Sequence, residues 1–379
     1  LSEFQIQKTN ITESRIVGND LASSPLSAGQ VLVKIDKFAL TANNITYAVV
    51  GEQIGYWQFF PPHSQTAQGT SVDTQGWGIL PVWGFADVVS SNCEEVPVGE
   101  RLFGYFPPAS HLVLEPAKVG KTSWLDASAH RRELPAGYNI YRRVAHEPGY
   151  NMAHEDDRML LFPLHITSFA LFDFFQENNW FGAKQLVMLS ASSKTSTGLA
   201  YGVQDFSKKQ SGDEQSAPTL IGLTSARNVD MVNGINAYDT VLTYDEIAKI
   251  DNSIPTLIVD MSGNVNTLST LHKHLGENMK FCSNVGVTHW HELGRSDDII
   301  KERSEFFFAP SQIQKRLQEW GPQVFDQKSR KYLAVSINKS REWLNMTDLD
   351  GLEGMQAIFV DVCEGKVAPD NGLIVRMQS

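Results

Sequence analysis

The sequence predicts an α/β protein of two domains, one built on a doubly wound parallel sheet and the other on a small β-barrel. Three observations predict it. Short strand signals broken by Gly and Pro fill residues 1–115. From Pro163 onward, short apolar runs alternate with helical periodicity. Within that second region, one apolar run leads directly into a turn of tiny residues and then a helix.

In the first region, Val31 to Ile35 alternates as V-L-V-K-I, a half-buried strand pattern, and Val82 to Val89 reads as another strand. Gly99-Glu100-Arg101 reads as a turn before a strand at Leu102 to Phe106. Several such strands make a small barrel. Residues 116–158 are mixed, with the dense stretch His130-Arg131-Arg132-Glu133-Leu134-Pro135 and then Arg142 and Arg143. Charge runs usually face water, so this reads as a solvated loop, with a hinge or a lid left open.

After Pro163, Ile166, Phe169, Ala170, Phe174 and Phe175 share one side of a helix. Gln185 to Leu189 is a short apolar run of the kind buried in a parallel sheet, and Thr219 to Leu223, Thr256 to Val259 and Lys280 to Ser283 repeat the signal. Lys208 to Pro218 is polar and reads as a surface loop. From about Glu305 comes a helical stretch holding Lys315, Arg316 and Trp320, then strand-like runs that return to the first domain. The predicted domains are 1–160 with 310–379, and 161–309.

With 379 residues, at about 150 per domain, the chain is long enough for two or three cores. Its 32 basic and 43 acidic residues give a net charge of −11, which argues against nucleic acid or an anionic membrane as partner. Cys93, Cys282 and Cys363 are far apart and form no C-x-x-C pair, so neither a disulfide framework nor a structural zinc is expected. No apolar stretch approaches the roughly 20 residues of a membrane span, and Leu1-Ser2-Glu3 shows no secretory pattern. The expectation is a cytoplasmic protein, with the N-x-[ST] matches at Asn10, Asn44, Asn338 and Asn345 arising by chance.

The most informative segment is Leu186 to Ala200, L-V-M-L-S-A-S-S-K-T-S-T-G-L-A. A buried strand, a turn of small residues and a helix form the Rossmann arrangement that cradles a pyrophosphate. Small side chains let the backbone approach, and the N–H groups at the helix start face the anion. Ser190, Ser193 or Lys194, and Ser196 stand where glycines are expected; a plain structural turn is the alternative. The next strand ends Leu223-Thr224-Ser225-Ala226-Arg227-Asn228, without the acid that would hold ribose hydroxyls. Ser225 and Arg227 suit a 2′-phosphate, which favours NADP(H) over NADH; a surface arginine is the alternative for Arg227. Ser192, Ser193, Lys194, Thr195, Thr224, Ser225, Arg227, Ser283, Asn284 and Val285 are the expected cofactor-binding residues.

The chain as a whole resembles the medium-chain dehydrogenase/reductase superfamily in its quinone-reductase-like branch. Val31 to Ile35 looks like the opening strand of the family's GroES-like barrel domain, and Leu40 to Gly51 like its following loop and helix. Val98-Gly99-Glu100-Arg101-Leu102-Phe103-Gly104-Tyr105 is similar to the family's V-G-D-R-V-F-G-Y turn. Asn236 to Tyr244 is similar to L-G-A-D-E-V-I-N-Y, and Val259 to Gly263 and Cys282 to Gly286 to later strand ends. Closest is a branch described only as a domain of unknown function, which shares the S-A-S-S-K-T turn and the stretch Gly55-Tyr56-Trp57 with Phe59-Phe60-Pro61. Thr41 to Asn44 and Trp83-Gly84-Phe85 occupy the places of the zinc ligands, so no metal is expected. The resemblance also implies a homodimer through the Rossmann sheet edges.

In zinc-free members the nicotinamide lies between the domains, beside a donor that polarises a carbonyl or protonates a carbon. On that resemblance Tyr56, Asn44, His165 and Thr167 are the catalytic candidates, with Tyr47 and Asn43 beside them. Tyr56 is first as proton donor, with packing beside Trp57 and Phe59 as its alternative. His165 reads equally as a core histidine, and Asn44 as a helix cap. His289-Trp290-His291 contains a H-x-H pair without an evident third ligand and reads as a loop near the cofactor. Tyr56, Trp57, Phe59 and Phe60 point to a small apolar or aromatic substrate. The expected activity is NADPH-dependent reduction of an activated C=C or carbonyl. A non-redox enzyme of the same fold, cleaving carbon–carbon bonds or hydrating, and a nucleotide-sensing binding protein are the alternatives.

Overall fold

The strand Val31–Leu40 organises the first part of the chain. Its alternating residues Val31, Val33 and Ile35 are fully buried, and it pairs antiparallel with Val82–Ser91 along its length. Its first half also pairs with His111–Leu114 and its second half with Asn371–Arg376. In this computed structural model, which describes residues 2–19, 21, 25–49, 51–66, 69–209, 217–285 and 298–378, the chain divides into two compact units. One is Leu1–Leu160 with Asn345–Ser379; the other is Leu161–Leu344.

In the first unit a nine-stranded sheet runs from Asn345–Asp350 through Asn371–Arg376, Val31–Leu40, Val82–Ser91, Arg101–Phe106, Ile140–Arg143 and Ser123–Asp126 to Pro116–Ala117, with His111–Leu114, off this path, as the ninth strand. A second sheet is formed by Ser14–Gly18, Ser2–Gln7 and Trp77–Gly78. Residues 116–158 are therefore not simply a solvated loop: three of the strands come from them. Arg132 and Glu133 do face water, but Arg131 is 1% exposed. Its guanidinium pairs with Asp126 at 2.6 Å and lies 4.7 Å from the centre of the Phe60 ring. A buried charge persists only when paired in this way, and a charge count cannot reveal the partner.

The second unit is a six-stranded parallel sheet. Its strands are β1 (Gln185–Leu189), β2 (Thr219–Thr224), β3 (Thr240–Thr243), β4 (Thr256–Asp260), β5 (Met279–Asn284) and β6 (Ser304–Phe306). The spatial order is β3-β2-β1-β4-β5-β6, the doubly wound order with a switch point between β1 and β4. The apolar runs read from the sequence become its core, with Leu186 to Leu189, Leu223 and Leu257 to Val259 fully buried. The register aligns Leu189 with Leu223 on one side and Asp260 on the other, and Asp260 with Asn284. The strand ends thus open on one edge.

Five helices matter here: α1 (Glu155–Glu177), α2 (Lys194–Lys209), α3 (Val229–Gly234), α4 (Val265–Leu275) and α5 (Ala309–Ser340). α1 begins eight residues before Pro163 and continues through it, and the Thr167 hydroxyl donates to the Pro163 carbonyl at 3.2 Å. Contrary to the sequence expectation, one helical stretch, Met152–Glu177, is long and apolar enough to cross a membrane by length and composition. In the protein 61% of its apolar window is buried, as in the core helix of a globular fold.

The return to the first unit comes at Asn345 rather than at 310. α5 stays on the second unit because Arg316 pairs with Asp173 at 2.6 Å and Tyr332 donates to the Gly198 carbonyl at 2.9 Å. A helix with a polar and an apolar face does not announce which core it packs on.

Candidate functional site

The turn after β1 is shaped by what its small residues permit. Ser190 takes a left-handed conformation, φ 61°, where glycine is the usual occupant. Its N–H donates to the Tyr244 hydroxyl at 3.2 Å, while the Tyr238 hydroxyl donates to the Ala191 carbonyl at 2.8 Å. Gly222 on β2 makes room for this: a Cβ there would lie 2.9 Å from both the Ala191 Cβ and the Tyr238 ring. Both tyrosines lie in or beside the stretch Asn236 to Tyr244 that resembles the superfamily pattern, but the sequence does not show that their hydroxyls pin the turn.

The serines divide their work. The Ser193 hydroxyl accepts from Ser196 N at 3.2 Å, and the Ser196 hydroxyl donates to the Met261 sulfur at 3.1 Å. Those two side chains therefore help hold the turn together. The Ser192 hydroxyl accepts from Asn228 at 3.3 Å, tying the turn to the end of β2. Lys194 and Thr195 are half-buried in the first turn of α2, where helix geometry leaves N–H groups without intrahelical acceptors.

Around this turn the strand ends carry buried hydroxyls that meet no partner among the described residues: Thr224 at the end of β2, Ser225 just after it, and Ser283 on β5. Thr224 and Ser283 are each 1% exposed. A buried hydroxyl left unmade costs free energy, so a row of them on one edge marks a place where a polar ligand belongs. Arg227 is exposed in the short helical turn Ala226–Asn228. Asn284 is buried, its amide donating to the Glu305 carbonyl at 3.3 Å, and Val285 N donates to the Asp260 carbonyl at 2.8 Å. The Asp260 carboxylate accepts from Ser262 N, the Ser262 hydroxyl and Gly263 N, and burial pushes its pKa above the ordinary carboxylate value. The ten expected cofactor residues thus lie at the ends of β1, β2 and β5 on one edge of one sheet. His289, Trp290 and His291 lie outside the described residues.

The catalytic candidates separate. His165 is fully buried in α1, with Nδ1 2.9 Å from the Ser336 hydroxyl of α5, and burial pushes its pKa down to about 3. It is neutral and enclosed between helices, which fits the core role. Thr167 is occupied by the Pro163 carbonyl. Asn44 is 3% exposed; its Oδ1 accepts from Thr41 N and the Thr41 hydroxyl, and its Nδ2 donates to the Pro81 carbonyl at 2.9 Å. That bonding fits the helix-capping role.

Tyr56 belongs to a cluster within the first unit. Its ring lies 4.5 Å from Tyr47 and 5.7 Å from Tyr138, and Tyr105 lies 4.9 Å from Tyr138. The Tyr56 and Tyr138 hydroxyls are 2.9 Å apart, and Asn43 donates to the Tyr47 hydroxyl at 2.7 Å. Burial raises the pKa of all four tyrosines, so each is a protonated donor at neutral pH. Tyr138, from the 116–158 segment, was not singled out in the sequence. Among the described residues no group of three His, Cys, Asp or Glu side chains is placed to hold a metal ion.

No protein of curated function matches the chain by sequence. Solved structures match its fold over essentially its whole length. CurA from Vibrio vulnificus in complex with NADPH aligns with a TM-score of 0.61 at 12% identity, covering 100% of both chains. A mutant form of enoyl thioester reductase from Candida tropicalis gives 0.55 at 10%, covering 99% of this chain and 100% of that one. The yhdH oxidoreductase from Salmonella enterica in complex with NADP gives 0.52 at 10%, covering 100% of both. At such identities the likeness is one of fold, a Rossmann sheet with a GroES-like unit. The model of a family described as protein of unknown function, DUF2855, matches residues 38–368, and the chain belongs to that family.

Proposed function

We propose that the chain is an NADPH-dependent reductase of an activated C=C or carbonyl in an apolar substrate, acting without zinc. The observation that carries this reading is the row of buried, unpartnered hydroxyls at Thr224, Ser225 and Ser283 around a Rossmann switch point. The structural relatives titled as complexes with NADPH and NADP support it.

The N–H groups at the start of α2, with Ser192, Lys194 and Thr195, would hold the pyrophosphate. Thr224, Ser225 and Arg227 would meet the 2′-phosphate, and Ser283, Asn284 and Val285 the remainder. When bound, NADPH supplies the hydride. Residues 223–228 include no acid, so nothing on that strand end repels a 2′-phosphate. In the first unit, the Tyr56 hydroxyl is the proposed proton donor. Tyr138 holds it in place by a hydrogen bond, and the surrounding Tyr47, Phe59 and Tyr105 suit an apolar substrate. Thr41, Asn44 and Trp83 at the resemblance's zinc positions offer no thiolate, imidazole or carboxylate.

The test is NADPH consumption, followed by nicotinamide absorbance, with quinones, enones and aldehydes offered in turn. Turnover with one class, undiminished after dialysis against a chelator, is the expected result. Tight NADPH binding without turnover on any class would leave a nucleotide-binding protein, and activity lost with the chelator would contradict the zinc-free chemistry.

A further inference from the structure

The buried Arg131 of the first unit reaches the aromatic cluster around Tyr56 by three routes. Its Nε is held by Asp126 at 2.6 Å. Its Nη2 donates to the Tyr141 hydroxyl at 3.1 Å, and that hydroxyl donates to the Tyr105 carbonyl at 2.7 Å. Its guanidinium lies 4.7 Å from the centre of the Phe60 ring. Its own carbonyl accepts from the Asn139 amide at 2.8 Å, and Asn139 directly follows Tyr138. The Asp126 N–H donates to the Asn139 carbonyl at 2.8 Å, so the segment from 126 to 139 closes around the ion pair.

Each route ends on a member of the cluster. The Tyr105 ring lies 4.9 Å from Tyr138 and 6.1 Å from Phe60. Phe59 lies 5.3 Å from Tyr138, and its carbonyl accepts from His130 Nε2 at 3.1 Å. Gly104 lets the Tyr141 ring lie where it does, since a Cβ there would be 2.5 Å from that ring. Stability alone does not account for the arginine. A buried ion pair seldom stabilises more than apolar packing, and Arg131 Nη1 is buried with no hydrogen-bond partner among the described residues. What the rigid, planar fork supplies is direction. Direction matters at the hydroxyl pair. Tyr56 and Tyr138 are 2.9 Å apart and share one hydrogen bond, in which either could donate. Only with Tyr138 as donor is the Tyr56 proton left for a substrate, and the same bond then stabilises the oxygen that Tyr56 leaves behind.

We infer that Arg131 is a positioning residue for the proton donor: through Tyr141, Phe60 and Asn139 it holds Tyr105 and Tyr138 in the arrangement in which the Tyr138 hydroxyl bonds to Tyr56. This rests on the reading of Tyr56 as donor. It assigns Arg131 no contact with substrate.

The deciding variant is Tyr141→Phe, which keeps the ring and the ion pair and breaks the link to Tyr105. Arg131→Lys, which keeps the charge but loses the fork, should act in the same direction. Arg143→Lys is the control for lost stability, since Arg143 lies on the same strand but pairs with Glu100. The substrate is whichever quinone, enone or aldehyde the wild type reduces. Tyr141→Phe should lower kcat about tenfold or more while the KM for NADPH stays within about twofold. Its solvent deuterium isotope effect should rise, because proton donation becomes slower. Arg143→Lys should change neither. A kcat for Tyr141→Phe within about twofold of the wild type, or an equal loss in Arg143→Lys, would overturn the inference. If the wild type reduces none of these substrates, the functional reading fails, and fluorine NMR of fluorotyrosine-labelled protein decides the positioning separately. Displaced Tyr56 and Tyr138 resonances in Tyr141→Phe support it, and unmoved resonances overturn it.

Discussion

The Ser190 N–H donates to the Tyr244 hydroxyl at 3.2 Å, and Ser190 makes this bond from a left-handed backbone conformation, φ 61°. For a residue with a Cβ that conformation costs on the order of 1 kcal/mol. Glycine would relieve it. Ser190→Gly should stabilise the second unit by up to about 1 kcal/mol and raise its melting midpoint by roughly 2–4 °C. A lower midpoint in calorimetry would mean that the serine side chain makes a bond worth more than the strain.

A second strained stretch precedes β1. Asn179, Trp180 and Phe181 all have positive φ, followed by Gly182. Packing holds them there: Trp180 is 3% exposed against Phe172 and Phe175, and Phe181 stacks on Phe281 at 4.0 Å and 2°. Phe181→Ala removes the stack and leaves the strain, so a loss of about 2–4 kcal/mol is expected in denaturant unfolding. NADPH affinity should not change, because the stretch enters the sheet at the edge opposite the candidate site. A parallel loss of affinity would contradict that separation.

Two histidines make stability depend on pH. Burial holds His165 down to about 3 and His272 down to about 4, both below the ordinary value of 6.5. As pH falls below 6.5 the unfolded chain takes up protons that the folded chain refuses. Stability therefore declines through this window, by up to about 1.4 kcal/mol per pH unit for each histidine, and the loss levels off below the folded values. The lowered carboxyls of Glu155 and Asp156 add a loss in the same direction below about 4.5. His165→Gln should flatten the slope of unfolding free energy between pH 6 and pH 4 by about one histidine's share. An unaltered slope would show that the imidazole is protonated in the fold.

Much of the second unit was legible because its signals are local. The run Leu186 to Leu189 is apolar because both faces of a parallel strand are covered, and the small residues after it announce a turn. What was not legible depends on residues distant in sequence. Tyr56 gave a candidate, but its hydroxyl partner Tyr138 is 82 residues away. Ser193 and Ser196 were readable as hydroxyls, yet what they bond is set partly by Met261, on the turn after β4. The expected return at 310 failed for the same reason: the pairing of Arg316 with Asp173 spans 143 residues and leaves no periodic trace.

The central claim is that the edge formed by the ends of β1 and β2 binds NADPH and prefers it to NADH. The most direct measurement is calorimetric titration of the wild type and Arg227→Ala with both cofactors. A charge-assisted bond to the 2′-phosphate is worth about 1.5–3 kcal/mol, so Arg227→Ala should weaken NADPH roughly tenfold or more and leave NADH nearly unchanged. Equal weakening of both would make Arg227 a structural residue, and failure of the wild type to bind either cofactor would contradict the account.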